Sequence, residues 1–314
     1  MVSPTLPAQH TGNGITAARW ARCLRKLGCA VRVTRRYDGQ DCDALIALHA
    51  RKSAPSIRRF RTLHPDRPLI VALTGTDLYF DLHRTSTVSA SLAAAHRIVL
   101  LQRLGRARLV PALRAKAHVI LQSAVPVRAR SRRRTGRFEV AVIGHLRAVK
   151  DPFRAALAAR RLPDTSRLHV VHAGRALSRS DGTRARREMQ VNPRYTWYGD
   201  RSHARSLQIL ARSHALVSSS RIEGGANVVS EAAVHGVPVL ASRIPGSVGL
   251  LGSDYPGYFT VGDTRGLATL LHRIETQPRF EARLRARMRR LAPRFHPRRE
   301  RAAWARLLQG LIGN

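Results

Sequence analysis

Ala215-Leu-Val-Ser-Ser-Ser-Arg-Ile-Glu-Gly-Gly-Ala-Asn-Val-Val-Ser-Glu231 continues through Ala-Ala-Val-His-Gly-Val-Pro-Val-Leu240 and reads as strand, glycine loop, helix, strand. Residues 215–217 and 237–240 are short apolar runs of the kind a buried parallel strand carries. Between them Val228, Val229, Ala232 and Ala233 share one helical face, and Gly236 and Pro238 stand where a C-cap and a breaker end the helix. Gly224 and Gly225 are expected to let the backbone approach a ligand just ahead of that helix, whose N–H groups and positive dipole end suit a phosphate. Glu223 falls on the loop and Glu231 about two turns into the helix. Alone, two such glutamates read as a loop carboxylate and a solvated helical one. With glycines and strands around them they point to a site.

Outward from this stretch the chain alternates strands and helices. Towards the N-terminus the pattern predicts strands over 2–5, 31–34, 44–48, 69–73, 97–100 and 118–121, with helices over 15–27 and 55–63. The loop that carries Gly12-Asn-Gly14 is a second glycine loop leading into a helix, and Thr74-Gly-Thr-Asp77 reads equally as an ordinary turn and cap or as a ligand site, since it lies at the carboxyl end of a strand, where such sheets bind ligands. A second series predicts strands over 138–143, 168–172, 195–198, 215–218 and 237–240, with helices over 182–190 and 204–212. Between the series, Arg128-Ala-Arg-Ser-Arg-Arg-Arg-Thr-Gly-Arg137 has no apolar periodicity and reads as a solvated linker. The expected organisation is a Rossmann-like domain over 1–127, the linker 128–137, and a second Rossmann-like domain over 138–292. A terminal helical segment, 293–314, should pack back on the first domain. Two doubly wound domains facing a cleft seat a nucleotide-linked substrate and a second reactant.

Composition narrows the function. The 314 residues are 44% hydrophobic, enough for two packed cores. No apolar run reaches the ~18 residues of a membrane span, and the N-terminus lacks a basic start and apolar stretch, so a cytoplasmic protein without stable membrane insertion is expected. The formal charge is +37, yet only Lys26, Lys52, Lys116 and Lys150 are lysines, and aromatics are 5%. Arginine spread through helices with so few stacking groups argues against a nucleic-acid platform. Cys23, Cys29 and Cys42 have no paired spacing and read as packing residues. Asp41-Cys-Asp43 precedes its strand and reads as a turn, while His169 and His172, three apart in a strand, point to opposite faces and share no metal. Neither Gly12-Asn-Gly14 nor Gly224-Gly225 completes Gly-x-Gly-x-x-Gly, which disfavours hydride transfer.

Glu223-Gly-Gly-Ala-Asn-Val-Val-Ser-Glu231 resembles the Glu-x7-Glu motif of retaining GT-B glycosyltransferases of the family 4 type, and Gly144-His-Leu-Arg-Ala-Val-Lys150 is similar to that family's Gly-Arg-Leu…Lys segment. His145 stands where an arginine is usual, and Arg147 is expected to supply that cation. The resemblance implies that Glu223 contacts the donor sugar and Glu231 the ribose hydroxyls. Lys150, Arg147 and the amides of Gly224, Gly225, Ala226 and Asn227, with Gly144 and His145, would face the leaving diphosphate without a metal or other cofactor.

Five segments also resemble the selenosugar synthase family of selenoneine biosynthesis: Gly12 to Ala21, Ala44 to Ala50, Leu73 to Tyr79, Leu121-Gln-Ser123, and Gly144 to Pro152. That resemblance implies UDP-N-acetylglucosamine as donor and selenophosphate as nucleophile. It also implies functional links to a selenophosphate synthetase and to a downstream selenoneine-forming enzyme. The nucleophile arrives already anionic and needs an anion site, for which Gly12, Asn13, Gly14, Thr16, Arg19, Thr76 and Asp77 are the candidates. The alternatives are a glycosyltransferase acting on a glycan or lipid and, more distantly, a basic nucleic-acid binder.

Overall fold

The computed structural model describes residues 1–9, 11–128, 136–309 and 311, in two compact units. One comprises Met1–Ser123, Glu223–Asn227 and the chain from His296 on; the other comprises Ala124–Ile222 and Val228–Phe295. Of the expected linker, residues 129–135 lie outside the described residues.

The first unit opens with helix α1 (Gly12–Arg25). It continues through β1 (Leu45–Leu48), α2 (Ala54–Leu63), β2 (Leu69–Leu73), α3 (Ser86–Ala93), β3 (Arg97–Leu100), α4 (Pro111–Ala115) and β4 (Ala117–Val119). The four strands are parallel in the order β1-β2-β3-β4, and β1 and β2 are buried along their whole length, as apolar runs between two helical layers must be. The strands expected over 2–5 and 31–34 are single bridges, Val2 pairing with both Thr34 and Ala47. Pro4, which has no N–H to donate, stops the ladder after Ser3. Even so, Val2 sits between Thr34 and β1, so the sheet order reverses there.

The helix expected from residue 15 begins at Gly12. Thr11 caps it by accepting from the Gly14 amide at 3.2 Å, so Gly12-Asn-Gly14 is the first helical turn and not a loop ahead of it. The strand expected over 118–121 is β4, which begins one residue earlier and ends two earlier.

The second unit runs β5 (Phe138–Ile143), α5 (Arg154–Ala159), β6 (Leu168–Ala173), α6 (Arg179–Val191), β7 (Tyr195–Trp197), α7 (His203–Arg212), β8 (Ala215–Ser218), α8 (Asn227–Val234), β9 (Val239–Ser242), α9 (Pro245–Leu251), β10 (Tyr258–Phe259), α10 (Thr264–Thr276) and α11 (Pro278–Leu291). Its six strands are parallel in the order β10-β9-β8-β5-β6-β7. The order reverses between β5 and β8, and a crevice at the carboxyl ends of those two strands is where this architecture seats ligands. The strand expected over 237–240 starts two residues later, because Pro238 only accepts, from Leu216 N–H.

Gly236 ends α8 in the left-handed region (φ 62°). Phe280, Leu284 and Met288 of α11 are fully buried.

The chain then leaves the second unit at Phe295, three residues beyond the expected boundary. Its last helix, α12 (Pro297–Gln309), belongs to the first unit. There Trp304 meets Trp20 edge-to-face at 4.9 Å, in a core that includes Ala17, Leu24, Ile46, Ile70 and Leu307. The glycine segment Glu223–Asn227, expected within the second domain, likewise groups with the first unit. Among the described residues no helix is long and apolar enough to cross a membrane.

Candidate active site

In the second unit the carboxyl ends of β5, β6 and β8 are tied by tight backbone contacts. Gly144 leaves β5 beside Gly174, where a Cβ on Gly174 would lie 1.8 Å from the Gly144 carbonyl oxygen. His172 Nε2–H donates to that carbonyl at 2.9 Å while its Nδ1 accepts from the Tyr195 hydroxyl at 3.0 Å. Burial pushes the His172 imidazole down to about 4, so it is neutral near pH 7 and serves as a strut. His169 bonds Thr196 instead, so the two histidines have separate partners.

The residues 148–150 form a single tight turn, followed by Asp151 in the left-handed region (φ 46°). Arg221 N–H donates to the Val149 carbonyl at 2.8 Å, and Ser219 Oγ lies 3.1 and 2.9 Å from the carbonyls of Lys150 and Asp151. The end of β8 therefore fixes the Lys150 turn. Arg147 is exposed just ahead of it.

His145 accepts at Nδ1 from the Arg175 amide at 3.1 Å, which leaves the proton on Nε2. That nitrogen is buried and has no hydrogen-bond partner among the described residues. Burial and the nearby cations Arg175, Lys150 and Arg147 lower the His145 pKa. It is thus a neutral donor without a partner among the described residues, at the position where the family pattern carries an arginine.

Glu231 is not the solvated glutamate that its helix position suggests. It is 7% exposed, and His203 Nε2, at the start of α7, lies 2.7 Å from its Oε1. Sequence reasoning misses His203, since nothing in the local pattern marks a histidine at a helix start.

Glu223–Asn227 is held within the first unit. A Cβ on Gly224 would stand 2.5 Å from the Thr74 carbonyl oxygen, and one on Gly225 would stand 2.7 Å from Leu101 Cβ. These glycines are therefore required for packing against protein, a demand that the expectation of a ligand-approaching backbone does not include.

Asn227 Oδ1 accepts from Arg19 Nη1 at 2.9 Å. The Gln122 amide, in the orientation that satisfies both of its polar atoms, donates to Gly225 O at 2.7 Å and to Asn227 Oδ1 at 3.0 Å, and accepts from Arg19 Nη2 at 3.2 Å. The Asn227 side chain is thus committed to α1, and what it can still offer a ligand is its backbone N–H.

Arg19 is neither solvated nor an isolated cation. Its Nε lies 3.1 Å from each oxygen of Glu300, which is 3% exposed and also accepts from Trp20 Nε1 at 2.8 Å and from the Ser123 amide at 3.1 Å. Thr16 is buried, with its hydroxyl 2.8 Å from the Gly12 carbonyl. Gly12 is exposed and open on its Cβ side, Asn13 is half-buried, and Gly14 packs on the Leu6 carbonyl.

Asp77 is fully buried. It accepts from the amides of Ala50, Thr74 and Gly75 at 2.8–2.9 Å, so it shapes the turn and has little left for an acceptor. Thr76 Oγ1 accepts from His49 Nε2 at 3.0 Å. His49 has φ 70°, a left-handed conformation rare for a non-glycine residue, and burial lowers its pKa. It belongs to the Ala44 to Ala50 segment, where no local pattern marks its role.

Two Rossmann-like units with parallel sheets, each with a reversal in strand order, define the GT-B glycosyltransferase fold. Residues 126–293, more than half of the chain, match the family described as glycosyl transferases group 1, and the chain belongs to that family.

Among solved structures, HepE of Anabaena in complex with UDP superimposes with a TM-score of 0.71 at 16% identity, covering 86% of this chain and 79% of its own. The sucrose-phosphate synthase of Thermosynechococcus elongatus gives 0.66 at 16%, covering 86% and 74%. An α,α-trehalose-phosphate synthase (UDP-forming) of Burkholderia vietnamiensis gives 0.66 at 15%, covering 96% and 76%. At such identities the likeness is one of fold. No curated protein matches the chain in sequence.

Proposed function

We propose that this glycosyltransferase takes UDP-N-acetylglucosamine as donor and selenophosphate as nucleophile, forming a carbon–selenium bond at the anomeric carbon, the selenosugar-synthase step of selenoneine biosynthesis. Use of a UDP-sugar is supported by family membership and by the HepE structures, which hold UDP and UDP-glucose. In the reaction the bond from anomeric carbon to diphosphate oxygen breaks, and its electron pair leaves with UDP. A selenium lone pair forms the new bond. Lys150 and Arg147, with the His145 Nε2–H, face the charge that grows on the leaving diphosphate, so the scheme contains no metal or other cofactor. Glu223 contacts the sugar and Glu231 the ribose.

One observation carries the choice of nucleophile. Around α1 and the Thr74–Asp77 turn, three groups that could deprotonate a hydroxyl are already engaged: Asp77 by three backbone amides, Glu300 by Arg19, Trp20 and Ser123, and His49 by Thr76 and the Lys52 amide. Such surroundings suit a nucleophile that brings its own negative charge. Gly12, Asn13 and Gly14 at the start of α1, with Thr16, Thr76 and the remaining N–H groups of Arg19, are the proposed anion site. The proposal links the enzyme to a selenophosphate synthetase that supplies its nucleophile and to a selenoneine-forming enzyme that consumes its product.

UDP release from UDP-N-acetylglucosamine should accelerate on adding selenophosphate alone. Release that requires a glycan or lipid acceptor and ignores selenophosphate would overturn the choice.

A further inference from the structure

Three of this chain's buried carboxylates are saturated with donors, while Asp81 Oδ2 and Glu139 Oε2 have arginines beside them but no hydrogen-bond partner among the described residues. Asp77 takes three backbone amides, and Glu300 takes Arg19, Trp20 and Ser123. Glu188 takes two nitrogens of Arg160 as well as Asn192 Nδ2. Glu231 is as buried as these, yet among the described residues one side chain bonds it, His203, at 2.7 Å. An ionised carboxylate accepts at about four lone-pair positions, so most of the capacity of Glu231 is left over. The bond from His203 reaches Oε1, and the Glu231 side chain keeps 9% of its surface exposed.

The partner is also unusual. In a chain rich in arginine, the group holding Glu231 is a histidine with 39% of its side chain exposed. The bond ties the start of α7 to the middle of α8, helices that follow β7 and β8, strands separated in the sheet by β5 and β6. A guanidinium here would cover both carboxylate oxygens in a fork. An imidazole takes one and leaves the other.

We infer that His203 is a positioning residue: it fixes the Glu231 carboxylate through Oε1 and presents Oε2 to the ribose hydroxyls of the nucleotide. The inference rests on the donor reading proposed above. Because the carboxylate acceptor cannot supply a proton, the Nε2–H of His203 donates, and the side chain needs no catalytic proton transfer for this role.

The test is calorimetric titration of the full chain with UDP and with a UDP analogue lacking both ribose hydroxyls. Wild type should bind UDP more tightly than the analogue. His203→Ala should weaken UDP binding about tenfold, the worth of one charge-assisted hydrogen bond, and leave analogue binding unchanged. His203→Gln, which keeps an N–H donor, should recover most of the loss. If wild type binds neither ligand, or does not distinguish them, the donor reading of Glu231 fails and the inference falls with it. If wild type distinguishes them and His203→Ala does so equally well, the donor reading stands and the inference is wrong. Loss of both ligands in both variants would make His203 a structural residue and would also overturn it.

Discussion

Arg19 on the first helix and Glu300 on the last are an ion pair, Nε to carboxylate at 3.1 Å, with side chains 13% and 2% exposed. The pair joins segments nearly three hundred residues apart and stands at the centre of a network that includes Trp20, Ser123, Gln122 and Asn227. At this depth each charge depends on the other, because removing one leaves the second buried and uncompensated.

Glu300→Ala should therefore destabilise the protein by about 3–5 kcal/mol, far more than loss of an exposed pair such as Arg32 with Asp38. Denaturant unfolding of Glu300→Ala and of Asp38→Ala checks this. Equal, small losses would contradict the central role of Glu300.

Gly224→Ala should cost about 1–3 kcal/mol, since the added Cβ meets the Thr74 carbonyl and the Gly75 amide at 2.5 and 2.9 Å. Gly12→Ala, with open space around it at the start of α1, should be neutral or stabilising by about 0.4–1 kcal/mol. Thermal melts of both variants decide whether these glycines serve packing.

Acid should act through His172. Its folded pKa of about 4 lies below the unfolded value, so the unfolded state takes up the proton first. This contribution is complete above about pH 6.5 and is lost as pH falls, about 2 kcal/mol by pH 5. His172→Gln should be less stable than wild type at pH 7 but should lose less on acidification between pH 7 and 5. Parallel stability curves for the two proteins would refute the assignment.

His145 offers a further contrast. Its buried, unpartnered Nε2–H should cost nothing to remove in the free protein, and His145→Ala should weaken UDP binding about fivefold with little change in melting temperature. Unaltered UDP affinity would remove it from the phosphate site.

What can be read in the sequence, and what cannot, follows from range. The parallel strands β1 to β9 and the stretch from β8 through α8 to β9 are legible because apolar runs, a glycine pair and a Gly-x-Pro stop are local signals, whereas the two-residue β10 carries no such run. The second domain's Lys150 turn is legible as a motif. Glu300 is not, because a lone acidic residue on an arginine-rich helix looks solvated until α12 packs on α1. The packing role of Gly224 and Gly225 is hidden for the same reason, since the Thr74 and Leu101 atoms they pack on are more than a hundred residues away. Asp77 reads equally as a turn cap and as a ligand, because the Ala50 amide reaches it only once β1 lies beside β2, and that pairing leaves no mark on the Thr74–Asp77 turn itself. His203 carries no sequence signal at all, and only its distance to Glu231 exposes it.

The most direct test of the whole account is mass spectrometry of the sugar product after incubation with UDP-N-acetylglucosamine and selenophosphate. The account predicts an N-acetylhexosamine that carries the isotope envelope of selenium, formed in step with UDP and abolished in Lys150→Ala. Selenium-free N-acetylglucosamine as the sole sugar product, or transfer only to a glycan or lipid present in the mixture, would contradict it.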